Sequence, residues 1–349
     1  MARVVLVTGV SRYLGARFTQ LLQADPDITR VIGVDVLPPS QDLGDAEFVR
    51  ADIRNPGIAR VLESAGVDTV VHMAVLAAPK EAGGRATMKE INVIGTMQLL
   101  AACQQAASVR KLVVKSSTAV YGSSPADPAL FTEDMEPRGL ARTGYAKDSV
   151  EVEGYVRGFA RRRPDVGVTT LRFANFIGPV VQTPLTRYFS LPVVPTVLGF
   201  DPRLQFVHER DGLEALWRAT TGEHPGTFNI AGGGVLTLSQ AIHRAGRLSL
   251  PLPHPAAPWI GMALRRAKVA DFSMEQVRFL TYGRVVDTTR MRERLGFEPT
   301  YSTREAFDDF VRGQALRGPL SPDVVTGAEE ALLATLTGRF GDEDAAHER

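Results

Sequence analysis

The sequence is poor in cysteine and histidine and has no long apolar run, and each shortage excludes a class of protein. Cys103 is the only cysteine, so neither a disulfide framework within the chain nor a four-cysteine zinc site can form. The six histidines are scattered without the spacing of metal ligands, and no metal site is expected. No run approaches the roughly 18 to 20 apolar residues that cross a bilayer, so we expect no stable membrane insertion. The first residues lead into a strand pattern without a secretory leader, which predicts a cytoplasmic protein.

An excess of charge of one sign is also missing, because 40 basic residues stand against 39 acidic ones and leave a net charge of +1. This balance disfavours a nucleic-acid partner that would bind along a basic face. Apolar residues make up 44% of the 349 residues, enough for a sizeable core and, at roughly 150 residues per domain, for two lobes. The expected partner is a small-molecule substrate. A homodimer is an open alternative to a monomer.

Over the first 175 residues, β-branched apolar runs alternate with helical patterns. The predicted strands are residues 4–7, 31–34, 69–72, 112–114 and 168–172. The predicted helices are residues 14–24, 58–65, 87–106 and 145–161. The strands are apolar on both faces, which is typical of parallel strands buried between helices. The alternation predicts an α/β fold, a Rossmann-type doubly wound parallel sheet with a smaller C-terminal substrate lobe.

Prolines become frequent after Asn175, and this change sets the predicted domain bounds. The bounds are 1–175 for a dinucleotide-binding domain with returning segments near 204–231, 176–203 and 232–320 for the substrate lobe, and 321–349 for a C-terminal helix and acidic tail. Residues 259–268 combine apolar side chains with basic residues at one end. This segment is either a helix at a membrane surface or, as we favour, a helix packed on the substrate lobe.

The strongest local motif is a strand, a glycine turn and a helix start over residues 4–15. Gly9 permits a tight turn, and Gly15 lets the helix pack closely on the sheet. The helix N-terminus offers free N–H groups and a positive dipole end to a pyrophosphate. The residues expected to contact a dinucleotide here are Gly9, Ser11, Arg12, Tyr13, Leu14 and Gly15.

Later strand ends extend the predicted cofactor site. Asp35 ends the second strand, where a carboxylate accepts hydrogen bonds from the adenosine ribose and repels a 2′-phosphate. The further positions expected along the cofactor are Asp52, Ile53, Met73, Ala74 and Val75. Each acidic position alone also fits a loop carboxylate or a helix cap, and their order along the chain is what favours a dinucleotide.

Together these motifs resemble the extended short-chain dehydrogenase/reductase family, the NAD-dependent epimerase/dehydratase family, with a UDP-glucose 4-epimerase-like subgroup as the best match. The resemblance covers about residues 3–315 and rests on Thr8-Gly9 with Gly15, Asp35, Asp52-Ile53, Asn92 with Gly95, Ser116-Ser117 before Val120-Tyr121-Gly122, Lys147, Arg172 with Asn175 and Gly178-Pro179, and Val207-His208 with Asp211. It implies a nicotinamide cofactor and proton transfer coupled to hydride transfer.

The glycine motif departs from the family pattern, because Arg12, or Tyr13 in a second alignment, occupies the position of the middle glycine. Arg12 would contact phosphate and favour NADP, whereas the carboxylate of Asp35 beside a 2′-phosphate is unfavourable. We give Asp35 more weight and predict NAD as the cofactor, with NADP as the alternative.

The resemblance implies a serine, a tyrosine and a lysine four residues after the tyrosine, whose ammonium lowers the pKa of the phenol. Ser117 matches the serine. Lys147 matches the lysine, which also holds the nicotinamide ribose in the family. Asn92 matches the asparagine that supports them and belongs with both the cofactor and the catalytic residues.

The expected tyrosine is missing, because the residue four before Lys147 is Thr143. A threonine hydroxyl cannot replace a phenol as a general base. Tyr145 or Tyr121 would then act in its place. Tyr145 stands about 200° around the helix from Lys147 and would face away from it in a regular helix.

The candidates on the substrate side are Phe173, beside the nicotinamide, and Thr118, Asn175 and Arg203. Family members that bind UDP-sugars place an arginine four residues before the histidine that matches His208, but this chain has Leu204 there. A diphosphate needs cationic donors, so this departure disfavours a UDP-sugar.

The sequence leaves two functions open. The first is an NAD(P)-dependent oxidoreductase or epimerase that acts on a nucleotide sugar or a related polyol or ketone through an atypical active site. The second is a cofactor-binding regulatory or scaffold protein with little turnover. Thr143 and the altered glycine turn favour the second function. Ser117, Lys147 and Asn92 together favour the first, which we adopt as the expectation.

Overall fold

The computed structural model describes residues 3–77, 83–136, 144–254 and 273–316. Seven parallel strands form its central sheet, in the order β3-β2-β1-β4-β5-β6-β11. They are β1 (Arg3–Thr8), β2 (Ile28–Asp35), β3 (Glu47–Arg50), β4 (Thr69–His72), β5 (Lys111–Ser117), β6 (Gly167–Phe173) and β11 (Gly226–Ile230). The strand order reverses between β1 and β4, and in such sheets ligands bind beyond the carboxyl ends of the strands at that point.

Shorter strands and the helices complete the described fold. Three two-stranded sheets pair β7 (Asn175–Ile177) with β10 (Phe206–His208), β8 (Val193–Val197) with β13 (Leu248–Leu252), and β9 (Arg203–Leu204) with β12 (Leu236–Thr237). The helices are α1 (Tyr13–Gln23), α2 (Ile58–Ser64), α3 (Arg85–Lys89), α4 (Thr96–Gln105), α5 (Tyr145–Arg162), α6 (Pro184–Phe189), α7 (Glu209–Thr221), α8 (Leu238–Arg244), α9 (Met274–Tyr282), α10 (Thr289–Glu293) and α11 (Thr303–Gly313).

The predicted doubly wound parallel sheet is confirmed. The domain bounds stay a prediction, although β11 joins the main sheet from within the returning segment 204–231. The segment 259–268 and the helix predicted near residue 327 lie outside the described residues. Within the described ranges, no helix combines the length and apolar character needed to cross a bilayer.

Alternation along the strands explains why both faces of the sheet are apolar. On one face, Val7 and Val113 pack with residues of α1 and α7. On the other face, Leu6 and Leu112 pack with residues of α2, α4 and α5. A separate apolar cluster, which includes Phe307 of α11, forms the core of the second lobe. Burial on both faces is what the continuous apolar strand pattern requires.

The helix predicted over residues 87–106 is divided in the structure. A wider π-helical turn, Glu90–Gly95, separates α3 from α4. Within it, the Thr96 hydroxyl donates to the carbonyl oxygen of Asn92 at 2.6 Å. The Asn92 side chain meanwhile bonds both backbone groups of Leu76, at 2.7 and 2.9 Å. Such π-turns are frequent at functional sites, and this one ties the helix to the loop after β4.

A buried ion pair connects α5 to the sheet. Arg172 of β6 donates to both carboxylate oxygens of Glu153 on α5, at 3.0 Å through Nε and 2.6 Å through Nη2. The same guanidinium donates to the Tyr121 hydroxyl at 2.8 Å and to the Glu133 carbonyl at 2.9 Å. Ser116 at the end of β5 donates to Glu153 at 2.6 Å. Each charge is therefore satisfied without water, as a buried pair requires.

Loss of the Glu153 carboxylate should be costly, because it leaves the Arg172 guanidinium buried and uncompensated. We expect Glu153→Ala to lower the free energy of unfolding by about 3–5 kcal/mol. The matched control is Glu214→Ala, which removes a 39%-exposed carboxylate 2.8 Å from Arg218 and should cost less than about 1 kcal/mol. Urea unfolding measures both, and equal losses would contradict the role assigned to the buried pair.

Candidate functional site

A cavity of about 680 Å³ opens at the carboxyl ends of β1, β4, β5 and β6. Its size lies within the range of small-molecule and cofactor sites. Its lining includes Gly9, Arg12, Tyr13, Leu14, Gly15, Met73, Val75, Lys115, Ser117, Tyr145, Phe173, Asn175, Glu275 and Arg284. No cluster of three metal-binding side chains occurs in the part of the chain that the structure describes.

The turn after β1 has a backbone that requires two glycines. Gly9 has a φ of +84°, and a Cβ there would stand 3.0 Å from the backbone of Met73 and Ala74. A Cβ on Gly15 would collide with the carbonyl oxygen of Gly9. Arg12, in contrast, is extended with a φ of −103°, a conformation open to any residue. No side chain caps the N-terminus of α1, so its first N–H groups can receive an anionic ligand.

Tyr13 connects the glycine turn to the second lobe. Its hydroxyl donates to Glu209 Oε1 at 2.7 Å, while Oε2 accepts from the N–H groups of Val181 at 2.7 Å and Val180 at 3.2 Å. Burial, and then the hydrogen bond to Glu209, raise the pKa of Tyr13 to about 12. Tyr13 therefore remains a hydrogen-bond donor at neutral pH and does not act as a base.

Asp35 lies at the end of β2, beside the glycine turn. It accepts hydrogen bonds from the N–H of Ser11 at 3.0 Å and of Val36 at 2.7 Å. The Ser11 hydroxyl donates to the carbonyl oxygen of Leu37. Neither Asp35 nor Ser11 lines the 680 Å³ cavity, so the ribose contact of Asp35 stays a prediction.

Asp52 and Ile53 also lie outside the cavity lining. Arg54 holds Asp52, with 2.6 Å between Nη2 and Oδ2, and its hydrogen bonds keep the pKa of Asp52 below the usual value. Ile53 is buried and faces Gly95, where a Cβ would come within 2.9 Å of it. The adenine contact of these two residues stays a prediction.

Tyr145 begins α5, and its phenol enters the cavity next to Ser117. The hydroxyl groups of Ser117 and Ser149 lie near the phenol, and Ser117 lines the same cavity. Burial raises the pKa of Tyr145 above its usual value, whereas the two serine hydroxyls act in the opposite direction. Ser149 lies one helical turn after Tyr145 and also donates to its backbone carbonyl at 2.9 Å. The structure thus brings together a phenol and a hydroxyl that can bind and protonate one substrate oxygen.

Lys147 does not line the cavity, and its position does not support the predicted contact with the cofactor. Its side chain is 42% exposed, and its ammonium lies 3.7 Å from Glu151 on the outer side of α5. Two positions along a helix correspond to a rotation of about 200°, which turns Lys147 away from the cavity that holds Tyr145. Thr143, the other half of that prediction, lies outside the described residues.

Asn92 is buried and is not among the residues that line the cavity. Besides its two bonds to Leu76, its Nδ2 lies 3.4 Å from Asp148 of α5. Asp148 in turn receives two hydrogen bonds from Arg85, at 2.5 and 2.6 Å. Asn92 therefore connects the loop after β4 to α5. This contact supports the structure around the cavity and does not involve a reacting atom.

The substrate-side predictions divide into two groups. Phe173 and Asn175 line the cavity, whereas Thr118 is buried in the 3-10 turn after β5. Arg203 stands apart, because its guanidinium donates to the Ala129 carbonyl at 2.9 Å beside a second cavity of about 350 Å³. A contact between Arg203 and a substrate in the main cavity is therefore not supported by its position.

Two residues that the sequence analysis missed approach the start of α5 from the second lobe. Glu275 of α9 accepts a hydrogen bond from the Ala146 N–H at 2.9 Å, and burial raises the pKa of this carboxyl. Arg284, just after α9, donates to the Gly122 carbonyl at 2.8 Å. Burial lowers the pKa of the Arg284 guanidinium to about 10, which still leaves it charged at neutral pH.

Two further residues, of which Lys115 lines the cavity, were missed although the sequence carried a signal for them. Counting four residues forward from Tyr145, and not back from Lys147, leads to Ser149. Strand alternation places Lys115 on the same face of β5 as Ser117. No spacing rule could have found Glu275 or Arg284, which only tertiary packing brings to α5.

The fold and the glycine turn define a nucleotide-binding α/β protein of the doubly wound class. Residues 5–231 match the NAD dependent epimerase/dehydratase family, and the chain belongs to that family. The predicted resemblance is thereby confirmed.

Proteins with similar sequences align with between half and nearly all of this chain. An uncharacterized protein of Mycobacterium tuberculosis is 52% identical over 344 residues, which cover 97% of this chain and 91% of the relative. UDP-glucose 4-epimerase 2 of Oryza sativa is 33% identical over 192 residues, which cover 50% of this chain and 45% of the rice protein.

Solved structures show the same fold at low sequence identity. The UDP-glucose 4-epimerase of Thermotoga maritima, with UDP-glucose, is 21% identical with a TM-score of 0.68 and covers 89% of this chain and 98% of its own. The dTDP-glucose 4,6-dehydratase of Bacillus anthracis, in complex with NAD, is 18% identical with a TM-score of 0.69 and covers 90% and 97%.

The close approach of α1 to the turn predicts that Gly15→Ala is destabilising. The added Cβ would meet the Gly9 carbonyl, and overpacking of this kind costs about 1–3 kcal/mol in the free energy of unfolding. Gly233→Ala is the control, because a Cβ there meets nothing within 4 Å. Urea unfolding compares the two, and a Gly15→Ala variant as stable as the control would refute the close packing.

Proposed function

We propose that this protein is an NAD-dependent oxidoreductase or epimerase of the extended short-chain dehydrogenase/reductase type, which acts on a nucleotide sugar or a related polyol or ketone by hydride transfer. The observation that carries the proposal is the pairing of Tyr145 and Ser117 inside the cavity at the carboxyl edge of the sheet. Family membership supports it, as does the NAD in complex with the similar dehydratase of Bacillus anthracis.

The residues around the glycine turn fit the phosphates of NAD. Gly9 and Gly15 place no Cβ atom where the turn meets neighbouring backbone, and the uncapped start of α1 offers N–H groups to a pyrophosphate. Arg12 contributes a guanidinium to the same wall of the cavity. The carboxylate of Asp35, beside this turn, favours NAD over NADP because it would repel a 2′-phosphate.

The reaction divides between the cofactor and the Tyr145–Ser117 pair. Bound NAD would supply the hydride acceptor, and its reduced form the hydride donor. Tyr145 exchanges a proton with the reacting oxygen of the substrate, and Ser117 hydrogen-bonds that oxygen and the phenol together. Because burial raises the pKa of Tyr145, the phenol is protonated at neutral pH and its resting role is that of a proton donor.

The substrate end of the cavity lies between α6 and α9. Its polar lining residues are Gln182, Thr183, Arg187 and Gln276. A diphosphate is usually bound by several cationic donors, and at this end Arg187 contributes one. A similar structure contains UDP-glucose, so UDP-sugars are the first substrates to test, with uncharged polyols and ketones as the alternatives.

A second function, a cofactor-binding regulatory or scaffold protein with little turnover, is favoured by one observation. Ser149 stands one turn after Tyr145, where the family pattern has a lysine. A hydroxyl carries no positive charge, so it does not promote ionisation of the phenol as an ammonium does. A homodimer and a cytoplasmic location stay predictions under either function.

Cofactor preference tests the first step of the proposal. We expect NAD to bind more tightly than NADP in calorimetric titrations. Asp35→Asn retains an acceptor for the Ser11 N–H but removes the negative charge, so NADP affinity relative to NAD should rise by at least about tenfold, or 1.4 kcal/mol. Tighter binding of NADP by the unchanged protein would contradict the assignment of Asp35.

Turnover tests the catalytic pair. Tyr145→Phe should lower the turnover of a responsive nucleotide sugar, polyol or ketone by roughly 10²- to 10⁴-fold while NAD still binds, because only the proton donor is lost. Lys147→Ala is the control and should change turnover little, since its side chain points away from the cavity.

Two results would count against the proposal. Full activity of Tyr145→Phe would exclude this residue as the acid. Binding of NAD without turnover of any substrate by the unchanged protein would favour the regulatory or scaffold function.

A further inference from the structure

The start of α5 poses an electrostatic problem. Burial raises the pKa of Tyr145, and the position one turn later holds Ser149 where the family pattern has a lysine. Lys147 points away and pairs with Glu151 on the outer side of the helix. A phenol that must gain and lose a proton needs a nearby positive charge to stabilise its ionised form.

We infer that Arg284 supplies this charge and is the positioning residue for the Tyr145 phenol, replacing from the segment after α9 the lysine that the family pattern places on α5. The inference rests on the proposed function, in which Tyr145 is the proton donor. It goes beyond that function because it assigns the stabilisation of the ionised phenol to a residue outside α5.

Arg284 is held rigidly in the wall of the cavity. Its Nη1 donates to the Gly122 carbonyl at 2.8 Å, directly after the 3-10 turn that follows Ser117. Its guanidinium carbon lies 5.0 Å from the ring centroid of Phe279, within cation–π distance. Arg284 therefore spans from α9 to the turn of Ser117 and lines the same cavity as Tyr145.

Charges of both signs face the phenol. Glu275 acts to raise the pKa of Tyr145, and Arg284 acts to lower it. Arg284 itself is faced by the carboxylates of Glu275 and Asp127 and by the hydroxyl of Tyr121. These anionic neighbours favour the charged guanidinium and oppose the effect of burial. Burial is the largest cause that raises the pKa of Tyr145, and the charges of Glu275 and Arg284 add to it in opposite directions.

Other charged groups lie near α5 or in the lining of the cavity. Asp148, which acts on Glu275, is paired with Arg85 at 2.5 Å. Lys115 lies in the floor of the cavity, 5.7 Å from the ring centroid of Phe176. Burial, and then the charge of Lys115, lower the pKa of His72 to about 4, so Lys115 acts on the sheet beneath the cavity. Arg284 is the cation that reaches the turn after Ser117, through its hydrogen bond to Gly122, while lining the same cavity as Tyr145.

The test is an ultraviolet titration of tyrosine ionisation in the full-length protein without added cofactor. Each background is measured with and without Tyr145→Phe, so that the difference isolates one of the seven tyrosines. Arg284→Met should move the pKa of Tyr145 upward, and Arg284→Lys should restore most of that shift. Arg203→Met, which removes a cation outside the main cavity, is the control and should leave the titration unchanged.

Glu275→Gln provides an arm of opposite sign. It keeps an oxygen for the Ala146 N–H but removes a negative charge, so the pKa of Tyr145 should move downward. Circular dichroism checks the fold of every variant. If Arg284→Met folds and its titration is unchanged, the inference is overturned. If Arg284→Met does not fold, Arg284→Lys and Glu275→Gln decide the question, and an unchanged titration in both overturns the inference.

Activity separates this inference from the proposed function. With a responsive substrate, Arg284→Met should slow alcohol oxidation at neutral pH and shift its rise with pH upward, whereas carbonyl reduction should persist to higher pH. Loss of both directions without a shift would indicate a structural role and overturn the inference. An active Tyr145→Phe variant would instead refute the proposed proton donor, while the titration would still report whether Arg284 controls that phenol.

Discussion

The geometry of the site depends on the buried pair of Arg172 and Glu153. Glu153 lies two turns along α5 from Tyr145, and its carboxylate also receives a hydrogen bond from Ser116, the neighbour of Ser117. One carboxylate therefore fixes the helix that carries the phenol against the strand that carries the serine. Breaking a pair of this kind exposes an uncompensated charge to the interior, so the two elements separate only at high cost.

The N-terminus of α5 is a second constraint, and it is electrostatic. Asp148 in the first turn suits the positive end of the helix dipole, and Arg85 compensates its burial. Glu275 adds a carboxylate from α9 by accepting the Ala146 N–H. The second lobe is thus attached where Tyr145 begins the helix. Movement of α9 would change both the shape of the cavity and the charge around Tyr145.

Much of the fold was predictable because its determinants are local. Continuous apolar runs, separated by helical patterns, predict the parallel strands. The turn that contains Gly9 and Gly15 predicts the edge of the sheet at which the cavity opens. The π-turn near Asn92 was not predictable, because side-chain bonds to Leu76 across the chain stabilise it. The family resemblance placed Ser117 and Phe173 among the candidates, and nearness to Lys147 in the sequence added Tyr145. Glu275 and Arg284 could not be, since their contacts with α5 are tertiary.

The misplacement of Lys147 has a physical cause. A motif of two residues one turn apart can be aligned on either member, and alignment on Lys147 leads to Thr143. The structure makes Tyr145 the fixed point, because it begins α5 and lines the cavity together with Ser117. A positive charge is less constrained, since Coulomb interaction depends on distance through space and not on position along the chain. The phenol must therefore remain at its place in the sequence, whereas its counter-charge can come from any element that packs against it.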